Sequence, residues 1–324
     1  MRQYSIDSLK LICALLIILL HVPTPCHDLY LPLTRCAVPI FFMISGYMLY
    51  GDGMEKRIKK SINKILYIIL WSSCLYACFN FVRYGFNTST IIPSTEQIKE
   101  FLFFNENPWG FHLWYLGAYL YVLVITYLLC HYKKYESVLV LIPFLLLTDL
   151  VFGKYSILFW GKEFNYLYVR NFLFVGLPYF MLGSYIRKKQ EVFTCSKKVA
   201  ILLTILFCAT TLFEKYLLVA NGINAIRDHY LSTTFLAISV FLLFVNYNQT
   251  KDNMLSRIGR QYSLYIYLLH PICFILLESA ISRTIHVESI VLAWQYFRPL
   301  IIFLVTMTIT WGFGKVGSLI NQKN

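Results

Sequence analysis

The sequence predicts an all-α integral membrane protein with about ten transmembrane helices and both termini in the cytoplasm. Three observations favour this fold class. Of the 324 residues, 58% are hydrophobic and only 14% are charged, which is far more apolar than an ordinary soluble domain. Apolar runs recur along the whole chain without a long polar block between them. Basic residues cluster in alternate connecting segments, as expected for a chain that crosses a membrane repeatedly.

The apolar runs give the expected spans, because a helix needs roughly 20 apolar residues to cross the hydrocarbon core of a bilayer. The first run lacks a small-residue cleavage pattern and a second run follows it closely, so we expect it to remain as the first helix. We expect a single membrane domain over residues 1–324. The predicted spans lie at 6–24, 34–50, 61–82, 111–131, 136–152, 170–186, 198–220, 229–247, 261–280 and 298–320.

The basic residues set the expected orientation. With the N-terminus in the cytoplasm, the inner segments hold roughly twice as many Lys and Arg residues as the outer segments. The densest inner cluster is "MEKRIKKSINK", which we expect to form a cytoplasmic loop. The net charge of +13 follows this alternation, so we predict no nucleic-acid partner. The nine cysteines show no Cys-x-x-Cys spacing, and we predict neither a disulfide framework nor a metal site.

The first predicted span, "SIDSLKLICALLIILLHV", carries the ionisable residues Asp7, Lys10 and His21. Lys10 and His21 are separated by eleven positions, so they project from nearly the same helix face, about 16 Å apart along the axis. Asp7 lies close enough to pair with Lys10. Ionisable groups inside a membrane are costly and usually functional. The alternatives are snorkelling of Asp7 and Lys10 to the cytoplasmic surface, and an interfacial position for His21.

The second predicted span contains the block "RCAVPIFFMISGYML". Arg35 lies at its outer end, near the expected level of His21. Ser45 and Gly46 are small enough to let a neighbouring backbone or a ligand come close. Helix packing alone is the alternative explanation for these two residues.

The fourth and ninth spans contain the blocks "HLWYLGAYL" and "SLYIYLLHP". The first block places His112, Trp114 and Tyr115 at the outer level of the membrane. In the second block His270 precedes Pro271, so we expect a kinked helix with a buried, hydrogen-bonded histidine that serves packing.

Together these blocks resemble a known family. Lys10, ten intervening residues and His21 match the signature of the acyltransferase 3 family of integral membrane acyltransferases. The three blocks of the second, fourth and ninth spans resemble blocks of the same family and occur in the family's order. Lys10 stands where arginine is commoner. Within the family the chain resembles bacterial surface-glycan O-acetyltransferases such as that of enterobacterial common antigen.

The resemblance implies a multi-pass enzyme of the bacterial cytoplasmic (inner) membrane. Its donor is acyl-CoA, usually acetyl-CoA, which is a substrate and not a permanently bound cofactor. Its acceptor is a hydroxyl of an extracytoplasmic or lipid-linked glycan. His21 is then the general base, and Arg35 orients the acceptor or steadies charge on the thioester oxygen. Membrane lipids are further partners, and the sequence leaves a homo-oligomer open.

The remaining site residues fall into two groups. The phosphates of CoA suit the basic cluster on the cytoplasmic side, and the pantetheine arm suits the line from Lys10 to His21. The basic cluster has an alternative role in topology and in attraction to anionic lipids. The expected donor contacts are Lys10, Ser45, Arg57, Lys59 and Lys60, and the expected acceptor contacts are His112, Trp114 and Tyr115.

Two other functions compete with acyl transfer. The first is a transporter or flippase for a small polar solute or a lipid-linked sugar, with Lys10, His21 and Arg35 along its path. We find no internal repeat with matching broken segments, which many transporters have. The second is a membrane partner or sensor without turnover, which leaves the cost of the charged first helix unexplained.

Overall fold

The computed structural model describes residues 3–223, 229–247 and 251–321, with side chains of the last helix described as far as Phe313. These residues form helices and connecting turns, without a strand among them. The α-helices in chain order are α1 (Tyr4–His21), α2 (His27–Thr34), α3 (Ala37–Leu49), α4 (Met54–Arg83), α5 (Thr95–Phe104), α6 (Trp114–His131), α7 (Tyr135–Val138), α8 (Ile142–Phe152), α9 (Ser156–Trp160), α10 (Leu177–Lys188), α11 (Lys197–Ala220), α12 (Leu231–Asn246), α13 (Met254–Thr284) and α14 (Glu288–Asn321).

Among the described residues, 8 helical segments are long and apolar enough to cross a membrane. The other two predicted spans are helical but short, since α10 has 12 residues and α12 has 16. The all-α multi-pass architecture is confirmed, whereas the count of about ten spans and the location of the termini stay predictions. The 8 segments are Tyr4–His21, His27–Leu49, Met54–Arg83, Phe111–His131, Tyr135–Phe152, Lys197–Ala220, Met254–Thr284 and Glu288–Phe313.

The basic cluster after α3 is helical, so its prediction as a loop was wrong. Helix α4 begins at Met54, directly after Gly53, whose backbone adopts the left-handed conformation with φ of 70°. Lys, Arg, Glu and Ile in this stretch are compatible with a helix, and they continue it into the apolar part of α4. Lys59 and Lys60 therefore project from the first turns of a helix and are exposed. Arg57 instead donates from Nη2 to the carbonyl of Leu49 at 2.8 Å and caps the end of α3.

Close glycine contacts bring α3 against α10. A Cβ atom at Gly46 would lie 1.9 Å from the carbonyl oxygen of Phe180, and one at Gly183 would lie 2.0 Å from that of Met43. Neither position has room for a side chain, so the two backbones touch, as in other membrane helix pairs built on small residues. The hydroxyl of Ser184 also donates to the carbonyl of Gly46 at 3.1 Å. Helix packing is therefore sufficient to explain Gly46.

Helix α1 lies in the interior of the bundle and packs along α13. A Cβ atom at Gly259 of α13 would lie 1.9 Å from the carbonyl oxygen of Asp7, so these backbones also touch. Ala14 and Ile17 of α1 are 0% and 2% exposed. More than half of the first predicted span is buried inside the protein, which fixes the position of the ionisable residues at its two ends.

Candidate active site

A cavity of about 490 Å³ lies at the end of the bundle where α1 finishes. Five of the predicted site residues line it, although they come from separate segments. His21 is the last residue of α1, and Arg35 lies in the turn that joins α2 to α3. The others are His112, Trp114 and Tyr115 at the start of the helix over Phe111–His131. We name this space the outer cavity, after the side of the membrane that the sequence predicts for it.

His21 belongs to a cluster of three histidines. Its ring is stacked on that of His270, with centroids 5.8 Å apart and an angle of 21° between the planes. The ring of His112 lies 5.7 Å from His270 in an edge-to-face arrangement. His112 and His270 are 1% and 0% exposed, whereas His21 is partly exposed to the cavity. The predicted base, His21, is therefore the most exposed of the three imidazoles.

The His270–Pro271 pair explains how this cluster is oriented. Pro271 has no backbone N–H, so it cannot bond the carbonyl of Tyr267 one helical turn earlier. That carbonyl instead accepts a hydrogen bond from Nδ1 of His270 at 2.8 Å. A carbonyl only accepts, so Nδ1 carries the proton and the tautomer of His270 is fixed. The prediction of a buried, hydrogen-bonded histidine is confirmed, and its stacking on His21 adds a contact that the sequence did not indicate.

Arg170, which was not among the predicted site residues, supplies a second guanidinium to the cavity wall. Its Nη2 lies 3.2 Å from Oε2 of Glu106, and its guanidinium lies 4.2 Å from the centre of the Tyr166 ring and 5.3 Å from that of Trp114. Burial raises the pKa of Glu106 above its ordinary value, while the Arg170 guanidinium acts in the opposite direction. Aromatic rings and a carboxylate thus hold Arg170 in place.

An aspartate–histidine pair forms another part of the wall. Nδ1 of His229 lies 2.9 Å from Oδ2 of Asp149, and their side chains are 11% and 3% exposed. The two residues are 80 positions apart, so their pairing leaves no pattern in a single sequence. Asp149 did carry a signal, because an acid inside the predicted span "LLLTDLVF" is costly without a partner.

The five predicted donor residues do not line the outer cavity. Lys10 lies at the opposite end of α1, where its Nζ is 2.8 Å from Oδ1 of Asp7, and this confirms the predicted pair. Nη1 of Arg260 lies 3.9 Å from the other carboxylate oxygen of Asp7. Arg260 in turn reaches Asp252 at 3.0 Å. The charges at this end of α1 therefore compensate one another.

The line from Lys10 to His21 is filled by side chains. Ala14 and Ile17 share this helix face, and both are buried in the protein core. Ser45, also predicted to contact the donor, donates its hydroxyl to the carbonyl of Phe41 at 2.9 Å. A donor that follows this line must therefore displace packed side chains.

Comparisons with known proteins place this geometry in a family. The profile described as an acyltransferase domain matches residues 3–314. A serine/alanine racemase of Enterococcus gallinarum is 27% identical over 296 residues, which are 84% of this chain and 41% of the relative. An amino-acid racemase of Enterococcus faecalis is 25% identical over 305 residues, which are 86% of this chain and 42% of the relative.

The chain spans about two fifths of the length of these curated relatives. No solved structure matches it. The match to the acyltransferase profile, in contrast, extends over nearly all of the chain and includes both ends of α1 and every described wall of the outer cavity. This multi-pass membrane protein therefore belongs to the acyltransferase 3 family.

Proposed function

We propose that the protein is an acyl-CoA-dependent O-acyltransferase that transfers an acetyl group to a hydroxyl of an extracytoplasmic or lipid-linked glycan. The observation that carries this proposal is the position of His21. The histidine of the family signature lies on the wall of a cavity that also receives Arg35 and Arg170. A partly exposed imidazole beside guanidinium groups suits a reaction in which a hydroxyl loses a proton and an oxyanion forms.

In the proposed reaction the hydroxyl oxygen of the acceptor attacks the carbonyl carbon of the thioester. His21 accepts the hydroxyl proton, and negative charge develops on the former carbonyl oxygen, where Arg35 stabilises it. The C–S bond then breaks as the ester C–O bond is completed. The proton on His21 passes to the CoA thiolate, so the products are an ester and free CoA. His112, Trp114 and Tyr115 contact the acceptor.

The donor approaches from the end of the bundle that holds Lys10, which we propose faces the cytoplasm of a bacterial inner membrane. Ten spans with both termini inside are consistent with the distribution of basic residues. Lys59 and Lys60 on the exposed start of α4 offer cations for the CoA phosphates. Ile17 moves aside to admit the pantetheine arm. The variants Lys60→Cys and Lys99→Cys test this orientation. A thiol reagent that cannot cross the membrane should label only the cysteine at position 99 from outside.

Acetyl-CoA turnover by the purified protein in lipid nanodiscs is the direct test. We expect release of CoA that depends on His21, together with loss of acetyl esters from surface glycans in cells that lack the gene. Chromatography of CoA measures the first, and mass spectrometry of the glycans measures the second. Absence of CoA release in the presence of cell-envelope glycan acceptors would contradict the proposal.

A transporter for a small polar solute is the second candidate. The outer cavity contains both guanidinium groups, which suit a carboxylate, and the Asp149–His229 pair, which suits an ammonium group. The relatives named as amino-acid racemases make L-serine the natural probe. Uptake of labelled L-serine into proteoliposomes without acetyl-CoA consumption would favour this candidate over acyl transfer.

A further inference from the structure

The Asp149–His229 pair faces the same cavity as His21, and the reaction proposed above leaves it without a role. Nδ1 of His229 lies 2.9 Å from a carboxylate oxygen of Asp149, while both residues line the cavity. An ionised carboxylate only accepts hydrogen bonds, so Nδ1 donates, and in the neutral imidazole Nε2 then carries the lone pair. The pair therefore presents a hydrogen-bond acceptor that is held in one orientation by a buried carboxylate.

A purely structural role is a weaker explanation, because the start of α12 is already fastened by another acid. Glu214 of α11 accepts hydrogen bonds from the backbone N–H groups of Leu231 at 2.8 Å and Ser232 at 2.9 Å. These bonds satisfy backbone N–H groups at the N-terminus of α12. The negative charge of Glu214 also interacts favourably with the positive end of the helix dipole there. Glu214 does not line the outer cavity. The Asp149–His229 pair, in contrast, is open to a ligand.

We propose that Asp149 and His229 bind a second hydroxyl group of the acceptor, beside the hydroxyl that His21 deprotonates. This inference rests on the proposed function and makes the acceptor a polyol. The second hydroxyl donates to Nε2 of His229, and Asp149 acts through His229 as a positioning residue. No bond is made or broken at this pair. Aromatic walls with a few convergent polar groups are the usual form of such a site.

The pair also gives the site a means of selection. A site that is built to bond a hydroxyl group discriminates strongly against an analogue without it, because a buried polar group is then left unpaired. An alcohol with a single hydroxyl can satisfy His21 but provides no donor for Nε2 of His229. The protein should therefore prefer polyols to simple alcohols of the same size.

Two matched acceptors test this preference with acetyl-CoA as the donor. Methyl α-D-glucopyranoside carries a primary hydroxyl and three others on a six-membered ring, whereas cyclohexanemethanol carries only the primary hydroxyl. In Asp149→Asn and His229→Gln we expect the KM for the glucoside to rise by about tenfold to a hundredfold, as for the loss of one hydrogen bond. The same variants should affect cyclohexanemethanol, which has no second hydroxyl, much less than the glucoside, so the ratio of the two acceptor KM values should change. The double variant should cost no more than either single variant.

Glu214→Gln is the control, since it alters a partly buried acid near α12 that lies outside the cavity wall. It should lower the melting temperature and leave both acceptor KM values unchanged. If His229→Gln keeps the glucoside preference of the original protein, the inference is wrong while acyl transfer stands. If the pair's variants lose uptake of labelled L-serine into proteoliposomes but keep the glucoside KM, the pair binds an ammonium group and the inference is again wrong. If the original protein releases no CoA with any acceptor, the proposed function fails and the inference fails with it.

Discussion

The two ends of α1 place ionisable side chains in opposite situations. At the end that holds Asp7, the carboxylate lies between Lys10 at 2.8 Å and Arg260 at 3.9 Å, so opposite charges neutralise one another. At the other end His21 has a stacked neighbour in His270 and faces a cavity of about 490 Å³. One helix thus carries a closed ionic cluster at one end and an imidazole open to a ligand at the other.

The ionic cluster around Asp7 supports the fold, whereas the polar groups of the outer cavity are available for chemistry. A charge in a membrane is tolerated when a partner removes most of its cost, and the cluster around Asp7 meets this condition within the protein. The groups of the outer cavity are only partly satisfied by one another, and the cavity leaves room for a substrate beside them. Variants at the two ends should therefore fail in different ways.

Replacement of His21 by Ala should have the largest effect. Loss of a positioned general base typically lowers the rate by about 10² to 10⁴. Donor binding and the melting temperature should change little, because His21 is at the end of α1 and partly exposed. Acetyl-CoA turnover at matched concentrations measures the effect, with His131→Ala on the exposed end of α6 as the control. Near-normal turnover in His21→Ala would contradict the proposed role of His21 as general base.

Replacement of Arg35 by Ala should be the next most severe, with a loss of about 10² to 10³ in kcat. The guanidinium is proposed to act on charge that develops in the transition state, so kcat should fall more than the KM for acetyl-CoA rises. Arg35→Lys should recover part of the loss because it restores the charge without the planar donor group. A change in KM alone would show that Arg35 binds the substrate in its ground state.

Replacement of Lys10 by Met tests whether the ionic cluster around Asp7 also binds the donor. If Lys10 contacts the donor, the KM for acetyl-CoA should rise by roughly tenfold, as for a lost charge-assisted hydrogen bond. Arg260→Met, which removes the other cation near Asp7, is the matched control and should lower only the melting temperature. Equal behaviour of the two variants, with unchanged KM, would mean that Lys10 only compensates Asp7.

Replacement of both Lys59 and Lys60 by Gln should have the smallest effect. Both side chains are exposed at the start of α4, where solvent screens their charge. We expect the KM for acetyl-CoA to rise about twofold to fivefold, and the difference from the original protein should vanish at high salt. Lys133→Gln with Lys134→Gln, in the segment after α6, is the control pair. A salt-independent effect would argue against phosphate binding.

Much of the helical architecture follows from local sequence. The predicted spans all coincide with helices where the structure describes them. A backbone in lipid has no water to bond, and a helix satisfies its hydrogen bonds within the segment. The basic stretch after α3 was misjudged as a loop, since its polarity concealed residues compatible with a helix that continues directly into an apolar one. Polarity alone therefore does not mark the end of a membrane helix.

The membrane class, the family resemblance, the pair of Asp7 with Lys10 and five residues of the cavity wall could all be predicted from local sequence. These depend on composition, on spacing within one helix and on short blocks, all of which are local. The tertiary structure alone shows that Asp149 pairs with His229 and that Ile17, on the face of α1 between Lys10 and His21, is buried. Contacts between helices that are distant in sequence depend on how the whole bundle packs, and a single sequence contains no periodic signal for that choice.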